Sequence, residues 1–436
     1  MNRTLTIQPR ILRGEALAPP SKSIAHRAVI AAALAQGGSI VGGVELSQDI
    51  EATVCAVSAL GAKVSLQELP GGRRNAFVEG IVSGADEPVI DCRESGSTLR
   101  FLLPVALAVS GGAAFTGSRK LAERPLGPYI ELFRQRGIRA KYTDTSFPLE
   151  VSGMLAPGEF KVPGGVSSQF VTGLMLALPL LDGDSTIIVE GGLESLGYVD
   201  ITVDVLHAFG VAVEEEQRGE RYAVIGNQRY ISRKFDVEGD WSQSAFLLLM
   251  GLLGGPVKVS GLSRRSPQGD RTIEEIFRNM GGDLRWEGDA LVALRSKLHA
   301  ATVDVSQCPD LAPAVAAAMA VAEGESRIAG GKRLRMKESD RIASIAACLN
   351  VLGAKVTPLE DGLQIVGVRG LKGGEAPSAN DHRIAMMAAA ASPLCTAPIM
   401  LSGWEAVNKS WPGFWEDFGK LGGETDGQPM GQEHTD

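Results

Sequence analysis

Positive charge gathers in this chain where helices should begin. Ser21-Lys22-Ser23-Ile24-Ala25-His26-Arg27, Glu94-Ser95-Gly96-Ser97-Thr98-Leu99-Arg100 and Asp381-His382-Arg383 each set a cation in or near a first turn. Ser and Asp there are ordinary N-caps, but a cation beside them opposes the positive end of the helix dipole. An anion that bonds the free N–H groups and the cations together resolves the conflict; solvated surface charge is the plainer alternative. Ser167-Ser168-Gln169, Asp240-Trp241-Ser242-Gln243 and Pro309-Asp310 stand at equivalent places. A second basic set lies in loops: Arg119 to Pro125 with Lys120 and Arg124, Arg264-Arg265-Ser266, the run from Lys332 to Arg341, and Asn408-Lys409. Together they predict binding of several phosphate or carboxylate groups without a metal, although a solvated loop explains any one of them alone.

The chain as a whole is acidic. Its 43 Lys and Arg against 51 Asp and Glu give a net charge of −8, which argues against a nucleic-acid surface. The five cysteines stand singly, with no C-x-x-C pair, and the five histidines show no metal-ligand spacing. No disulfide framework, metal or cofactor is expected, and a reducing cytoplasm is the expected compartment. Met1–Arg13 lacks an apolar signal core, and the longest uncharged run, Ile384–Trp404, is broken by Pro393 and Pro398, so no membrane span is expected. There is no G-x-x-x-x-G-K-[ST] and no G-x-S-x-G, which removes the P-loop and the hydrolase elbow.

The elements that must position these residues are marked by glycine, 53 of 436 residues, while aromatics are only 5%. A helix-to-strand junction, apolar-Gly-x-x-apolar, recurs at Gly61, Gly137, Gly210, Gly281, Gly353 and Gly422, at intervals of 76, 73, 71, 72 and 69. The copy at Gly137 has Arg136 in the apolar place. A second marker falls at Gly43, Gly117, Gly192, Gly261, Gly330 and Gly403, at intervals of 74, 75, 69, 69 and 73. Two marker sets with one period define six copies of a unit of roughly 72 residues. Each unit reads strand, helix A, strand, helix B, then two or three strands. Helix A is apolar all round, as in Ala28–Leu34 and Phe246–Leu253, and is expected inside. Helix B, as in Ile50–Val57, is amphipathic and is expected to cover the outside. A single core stops growing beyond about 250–300 residues, so two groups of three units are expected. They are 21–233, and 1–20 with 234–423, followed by a disordered tail over 424–436.

Taken in order, Ser21-Lys22-Ser23-x-x-x-Arg27, Gly96-Ser97-x-x-Arg100, Glu123-Arg124-Pro125, Ser167-Ser168-Gln169, Lys337-Glu338-x-Asp340-Arg341 and Asp381-His382-Arg383 closely resemble the 5-enolpyruvylshikimate-3-phosphate synthase family, over about residues 5–420. The resemblance implies an α/β (α+β) fold: a two-domain inside-out pseudo-barrel of six β-α-β-α-β-β repeats, three per domain around buried parallel helices, with the ligands in the cleft between. It implies transfer of the enolpyruvyl group of phosphoenolpyruvate to the 5-hydroxyl of shikimate 3-phosphate, by addition and elimination. A monomer is expected.

By matching position, shikimate 3-phosphate would be held by Lys22, Ser23, Arg27, Ser167, Ser168, Gln169, Ser195, Tyr198, Asp310, Arg333 and Lys337. Phosphoenolpyruvate would be held by Lys22, Gly96, Arg124, Gln169, Arg341, Arg383 and Lys409. Asp310, Glu338 and Lys22 would be the acid–base groups, with Asp310 taking the hydroxyl proton; without the resemblance Asp310 reads equally well as a helix N-cap. Ser195 and Tyr198 rest on the looser match Glu194-Ser195-x-x-Tyr198-x-Asp200. Gly96 corresponds to the glycine that contacts the inhibitor glyphosate, while Glu94 and Arg333 depart from the family, which commonly has Asn at both places. A related UDP-N-acetylglucosamine enolpyruvyl transferase is the enzyme rival, disfavoured because the loop from Gly111 to Arg124 has no Cys. A catalytically silent anion-binding repeat protein is the other, disfavoured because mere binding does not need carboxylates such as Asp310 and Glu338 beside anions.

Overall fold

The computed structural model describes residues 4–142 and 147–426. Six helices are buried: Lys22–Leu34, Gly96–Ser110, Gln169–Ala177, Trp241–Leu253, Ala312–Met319 and His382–Ala391. In the last three every residue is buried, as an all-round apolar surface requires. Small side chains let them approach closely. A Cβ on Gly173 would lie 2.3 Å from Tyr129 Oη and 2.4 Å from Arg100 O, so only glycine lets Gln169–Ala177 lie this near Gly96–Ser110.

In the second, third, fifth and sixth repeats the buried helix is the crossover between two parallel strands, the connection such a pair needs. An outer helix and an antiparallel hairpin complete the repeat. All six four-stranded sheets share one order, first-second-fourth-third by place in the repeat. In the second repeat Val89–Asp91 runs parallel to Gly112–Thr116, which pairs with Leu149–Ser152, which pairs with Arg139–Tyr142. Along Leu149–Ser152 the first and third side chains are buried, as expected of a sheet with one face on a core. The outer helix Gln48–Ala59 buries Ile50, Val54 and Val57 and exposes Gln48, Glu51, Cys55 and Ser58.

The first glycine marker stands just past the C-cap residue of each outer helix, where φ runs from +71° at Gly137 to +111° at Gly61. That left-handed turn ends the helix at little steric cost only for glycine. Arg136 fills its apolar place by lying 3.6 Å over the Phe160 ring and donating to Ala156 O and Glu159 O.

The chain forms two compact units, one of 20–238 with 267–269, the other of residues up to 19, 239–266 and 270 onward. The first unit runs past Arg233 to Glu238 because Lys234–Asp236 pairs in parallel with Ile40–Gly42 and closes the first repeat's sheet, although it leads into the fourth repeat's helix. Reciprocally, Gly14–Leu17 leads into the first repeat's helix but pairs with Val257–Ser260 of the fourth. Thr4–Ile7 lies between Ile399–Ser402 and Thr425–Asp426 in the sixth sheet. Thr425–Asp426 is therefore ordered where a disordered tail was expected, and the rest of that expected tail, 427–436, lies outside the described residues. Among the described residues no helix is long and apolar enough to cross a membrane.

Candidate active site

In the unit of the first three repeats, the polar residues collect at helix starts. Lys22 opens the first buried helix, and its ammonium lies 2.7 Å from Asp49 of the outer helix Gln48–Ala59. Arg27, one turn on, is 2% exposed. Its Nε donates to Thr202 Oγ1 at 2.8 Å, Nη1 to Ser23 O at 2.7 Å, and Nη2 to Thr172 Oγ1 at 3.2 Å and Tyr198 O at 2.9 Å. Its guanidinium also sits 4.8 Å over the Phe101 ring. Burial lowers its pKa to about 9, so it stays charged at neutral pH. Among the described residues every partner of this buried cation is neutral, an arrangement that costs free energy until an anion arrives.

Gly96 begins the second buried helix behind Ser95, whose Oγ accepts from Thr98 N at 3.2 Å. Arg100 Nη1 donates to Gln169 Oε1 at 2.7 Å, and Gln169 Nε2 donates to Ser97 Oγ at 3.0 Å. The second helix's first turn thereby fixes the first residue of the third. A Cβ on Gly96 would stand 2.7 Å from Arg124 Nη1 and 3.0 Å from Arg100 Nη1, so both guanidiniums lie over this turn. Ser167 Oγ accepts from Gln169 N at 3.3 Å, and Ser168 is buried. Ser195 precedes Leu196–Ala208 with φ of 60° and ψ of 46°. A left-handed serine stores strain of order 1 kcal/mol or more, a feature that collects at functional sites.

In the unit of the last three repeats, the cluster is built on Arg341, 1% exposed at the start of Arg341–Val351. Its Nε donates to Asp381 Oδ2 at 2.9 Å, Nη1 to Asp310 Oδ1 at 2.6 Å and Nη2 to Glu338 Oε2 at 2.7 Å. Asp310 also accepts from Arg383 Nη2 at 3.1 Å and lies 3.2 Å from the Lys337 ammonium. Burial alone would raise the Asp310 pKa, but Arg383, Lys337 and Arg341 hold it well below the usual carboxylate range. Burial lowers the Lys337 ammonium pKa against the opposing pull of Asp310. Asp310 is no helix cap: it sits in the 3-10 turn Pro309–Leu311, and the helix that follows has no side-chain cap. Lys409 is buried and donates to Asn380 O at 2.9 Å, in a turn where Ala379 and Asn380 both have left-handed φ, 52° and 55°. Arg333 is buried and donates to Ser306 O at 3.1 Å.

The expected residues thus fall into two clusters, one per unit, with three qualifications. All three kinds of nitrogen in Arg341 already meet carboxylates, so here it organises Asp310 and Glu338. Arg264 and Arg335, from the basic loops, are structural braces. Arg264 lies 4.5 Å over Trp286 and donates to Gly288 O, while Arg335 bonds Asp340, Leu359 O and Glu360 O. Asp49 and Asp381 enter as new members. Asp381 is fully buried, accepts from Arg383 N at 3.0 Å as the cap of His382–Ala391, and is kept below the usual carboxylate range by Arg341 against the effect of burial. Both acids look in sequence like ordinary first-turn or capping residues; the only hint of more is that nearby cations need counter-charge.

A six-repeat fold with helices inside, and clusters of cations and carboxylates at the helix starts, defines an enolpyruvyl transferase architecture. Residues 7–418 match the family described as EPSP synthase (3-phosphoshikimate 1-carboxyvinyltransferase). Two curated relatives carry the name 3-phosphoshikimate 1-carboxyvinyltransferase. That of Clostridium novyi (strain NT) is 45% identical over 433 residues, covering 98% of this chain and 99% of the relative. That of Clostridium kluyveri is 44% identical over 431 residues, with the same 98% and 99% coverage. The solved EPSP synthase of Acinetobacter baumannii matches with a TM-score of 0.79 at 26% identity, over 97% of this chain and 100% of the other. The enolpyruvyl transferase NikO of Streptomyces tendae also reaches 0.79, at 17% identity over 97% and 99% of the two chains, which shows the fold alone. The chain belongs to the EPSP synthase family. Its activity is that of a 3-phosphoshikimate 1-carboxyvinyltransferase, a step in aromatic amino-acid biosynthesis, and the family and these relatives do not name the UDP-N-acetylglucosamine enzyme.

Proposed function

We propose that both clusters take part in the reaction, with Lys22, Gly96, Arg124, Gln169, Arg341, Arg383 and Lys409 meeting phosphoenolpyruvate, and Lys22 and Gln169 also meeting shikimate 3-phosphate together with the remaining expected residues. The observation that carries this reading is the state of Asp310, held ionised by Arg341, Arg383 and Lys337. A carboxylate so paired is a poor base. When phosphate and carboxylate groups of the substrates take over those cations, Asp310 loses its counter-charges and burial raises its proton affinity. It then suits removal of the 5-hydroxyl proton as that oxygen attacks C2 of phosphoenolpyruvate. Glu338 and Lys22 add a proton to the methylene carbon in the addition step and remove one as phosphate leaves. Planar guanidinium forks match phosphate and carboxylate oxygens, and holding both substrates together supplies much of the acceleration.

Four of the five thiols are buried, and burial pushes Cys348 and Cys395 up to about 12. All five cysteines are free, which fits a reducing cytoplasm, and a cytoplasmic monomer is the setting we assign. The test mixes the protein with both substrates and measures released phosphate. Binding of both without phosphate release supports the silent anion-binding protein instead.

A further inference from the structure

One buried polar string lies outside the ligand set. His26, between Ala25 and Arg27 on the first buried helix, is 1% exposed. Its Nδ1 lies 2.7 Å from Thr53 Oγ1, Thr53 Oγ1 lies 2.7 Å from Thr98 Oγ1, and Thr98 Oγ1 donates to Ser95 Oγ at 2.7 Å. Thr53, Thr98 and Ser95 are buried as well. Counting protons fixes the direction of the string. The single hydroxyl proton of Thr98 goes to Ser95, so Thr98 accepts from Thr53, and Thr53 in turn accepts from Nδ1–H of His26. The imidazole is held in one tautomer, and its Nε2 has no partner among the described residues. Burial, then Lys22 and Arg27, keep the ring neutral, with a pKa well below 6.5. Its edge-on contact with Phe101, ring centroids 6.4 Å apart at 89°, fixes the ring plane.

The string ends on the cap of the second buried helix, where Ser95 Oγ accepts from Thr98 N. Directly after that cap come Gly96, Ser97 and Arg100, and the last two hold Gln169. We infer that His26 is a positioning residue for the phosphoenolpyruvate side of the site, setting the Ser95 hydroxyl through Thr53 and Thr98 and with it the turn that carries Gly96, Ser97 and Arg100. The inference rests on the assignment of Gly96 and Gln169 to phosphoenolpyruvate proposed above. It explains why a buried neutral ring occupies a place beside two cations.

The test is steady-state phosphate release, varying each substrate in turn, for wild type, His26→Leu, Thr53→Val, their double variant, His26→Asn and His26→Gln. The amide nitrogen of Asn stands where Nδ1 stands, and that of Gln where Nε2 stands. Losing one buried hydrogen bond should raise KM for phosphoenolpyruvate about tenfold in His26→Leu and in Thr53→Val, with kcat and the other KM within about twofold. The double variant should be no worse than either single one, because both cut the same string. His26→Asn should return KM to within about threefold of wild type, and His26→Gln should not. Rescue by Gln instead of Asn, additive effects in the double variant, or an equal rise in both KM values overturns the inference. So does a lower melting temperature with both KM values unchanged, the mark of a purely structural role. If His26→Leu fails to fold, Thr53→Val, which swaps a hydroxyl for a methyl, carries the same comparison. The wild-type assay is read first: no phosphate release there overturns the proposed assignment itself, whereas normal wild-type turnover with unmoved variants overturns only the role of His26.

Discussion

Replacing Gly96 by alanine separates folding from substrate binding. The new Cβ would stand 2.7 Å from Arg124 Nη1, 3.0 Å from Arg100 Nη1 and 3.7 Å from Gln169 Oε1. An ordinary contact is about 3.5 Å, so the Arg124 nitrogen must retreat by about 0.8 Å and the Arg100 nitrogen by about 0.5 Å. Both are the far ends of long side chains, so the backbone need not move. Alanine also favours a helix over glycine by up to about 1 kcal/mol, and the melting temperature should hold or rise slightly. Binding should suffer instead. A hydrogen bond from a charged group contributes about 1.5–3 kcal/mol; weakening one by about 1.5–2 kcal/mol raises KM for phosphoenolpyruvate about 10- to 30-fold. The effect on kcat should be smaller, because Asp310 and Glu338 belong to the other cluster. Phosphate-release kinetics and a thermal melt on the same preparation decide the matter. An unchanged KM would refute the placement of Arg124 and Arg100 over this turn, and a melting temperature lower by several degrees would show that the clash is relieved through the backbone.

Three further outcomes are expected. Asp381→Asn keeps an acceptor for Arg383 N but leaves buried Arg341 one charge short; it should lose about 2–4 kcal/mol of stability and at least tenfold in kcat, and denaturant unfolding with an unaltered kcat would count against Arg341 as the organiser of Asp310 and Glu338. The folded-state pKa of His26 lies below 6.5, so below that pH the unfolded chain binds the extra proton. Stability should therefore fall as pH drops under 6.5, by up to about 1.4 kcal/mol per pH unit, and His26→Asn should flatten that slope while leaving the curve above pH 7 parallel. A further loss, from Asp310 and Asp381 with their lowered pKa values, should come only below the usual carboxylate range. Glyphosate should compete with phosphoenolpyruvate, and undiminished turnover at millimolar inhibitor rejects that.

Local chemistry made much of this molecule legible in sequence. The glycines that follow the outer helices need left-handed backbone, so Gly61 and its five counterparts announce the repeat wherever they stand. The cations at helix starts likewise carry their conflict with the dipole on the surface of the sequence, and Arg27 keeps it unresolved in the fold. Partnerships across elements are another matter. Nothing near Lys22 points to Asp49, and nothing near Arg341 points to Asp381, because each pair meets only after separate helices have packed. Asp310 could be read as a cap because capping and ion pairing favour the same residue at the same place. Lys234–Asp236 precedes the fourth repeat's helix yet joins the first repeat's sheet, since hydrogen bonding, not the order of the chain, decides where a strand belongs.

That exchange of strands sets a timetable for synthesis. Every strand of the first three repeats' sheets lies within 20–238, so this stretch can fold while the rest of the chain is still being made. Thr4–Ile7 and Gly14–Leu17 leave the ribosome before all of it, but their partners, Ile399–Ser402 and Val257–Ser260, come much later. At about 5–20 residues per second, the first strand waits tens of seconds for its neighbour. An unpaired strand edge invites wrong pairings, and the brevity of both segments, four residues each, limits that risk. These two strands precede the first unit in the chain yet are among the last to find their place.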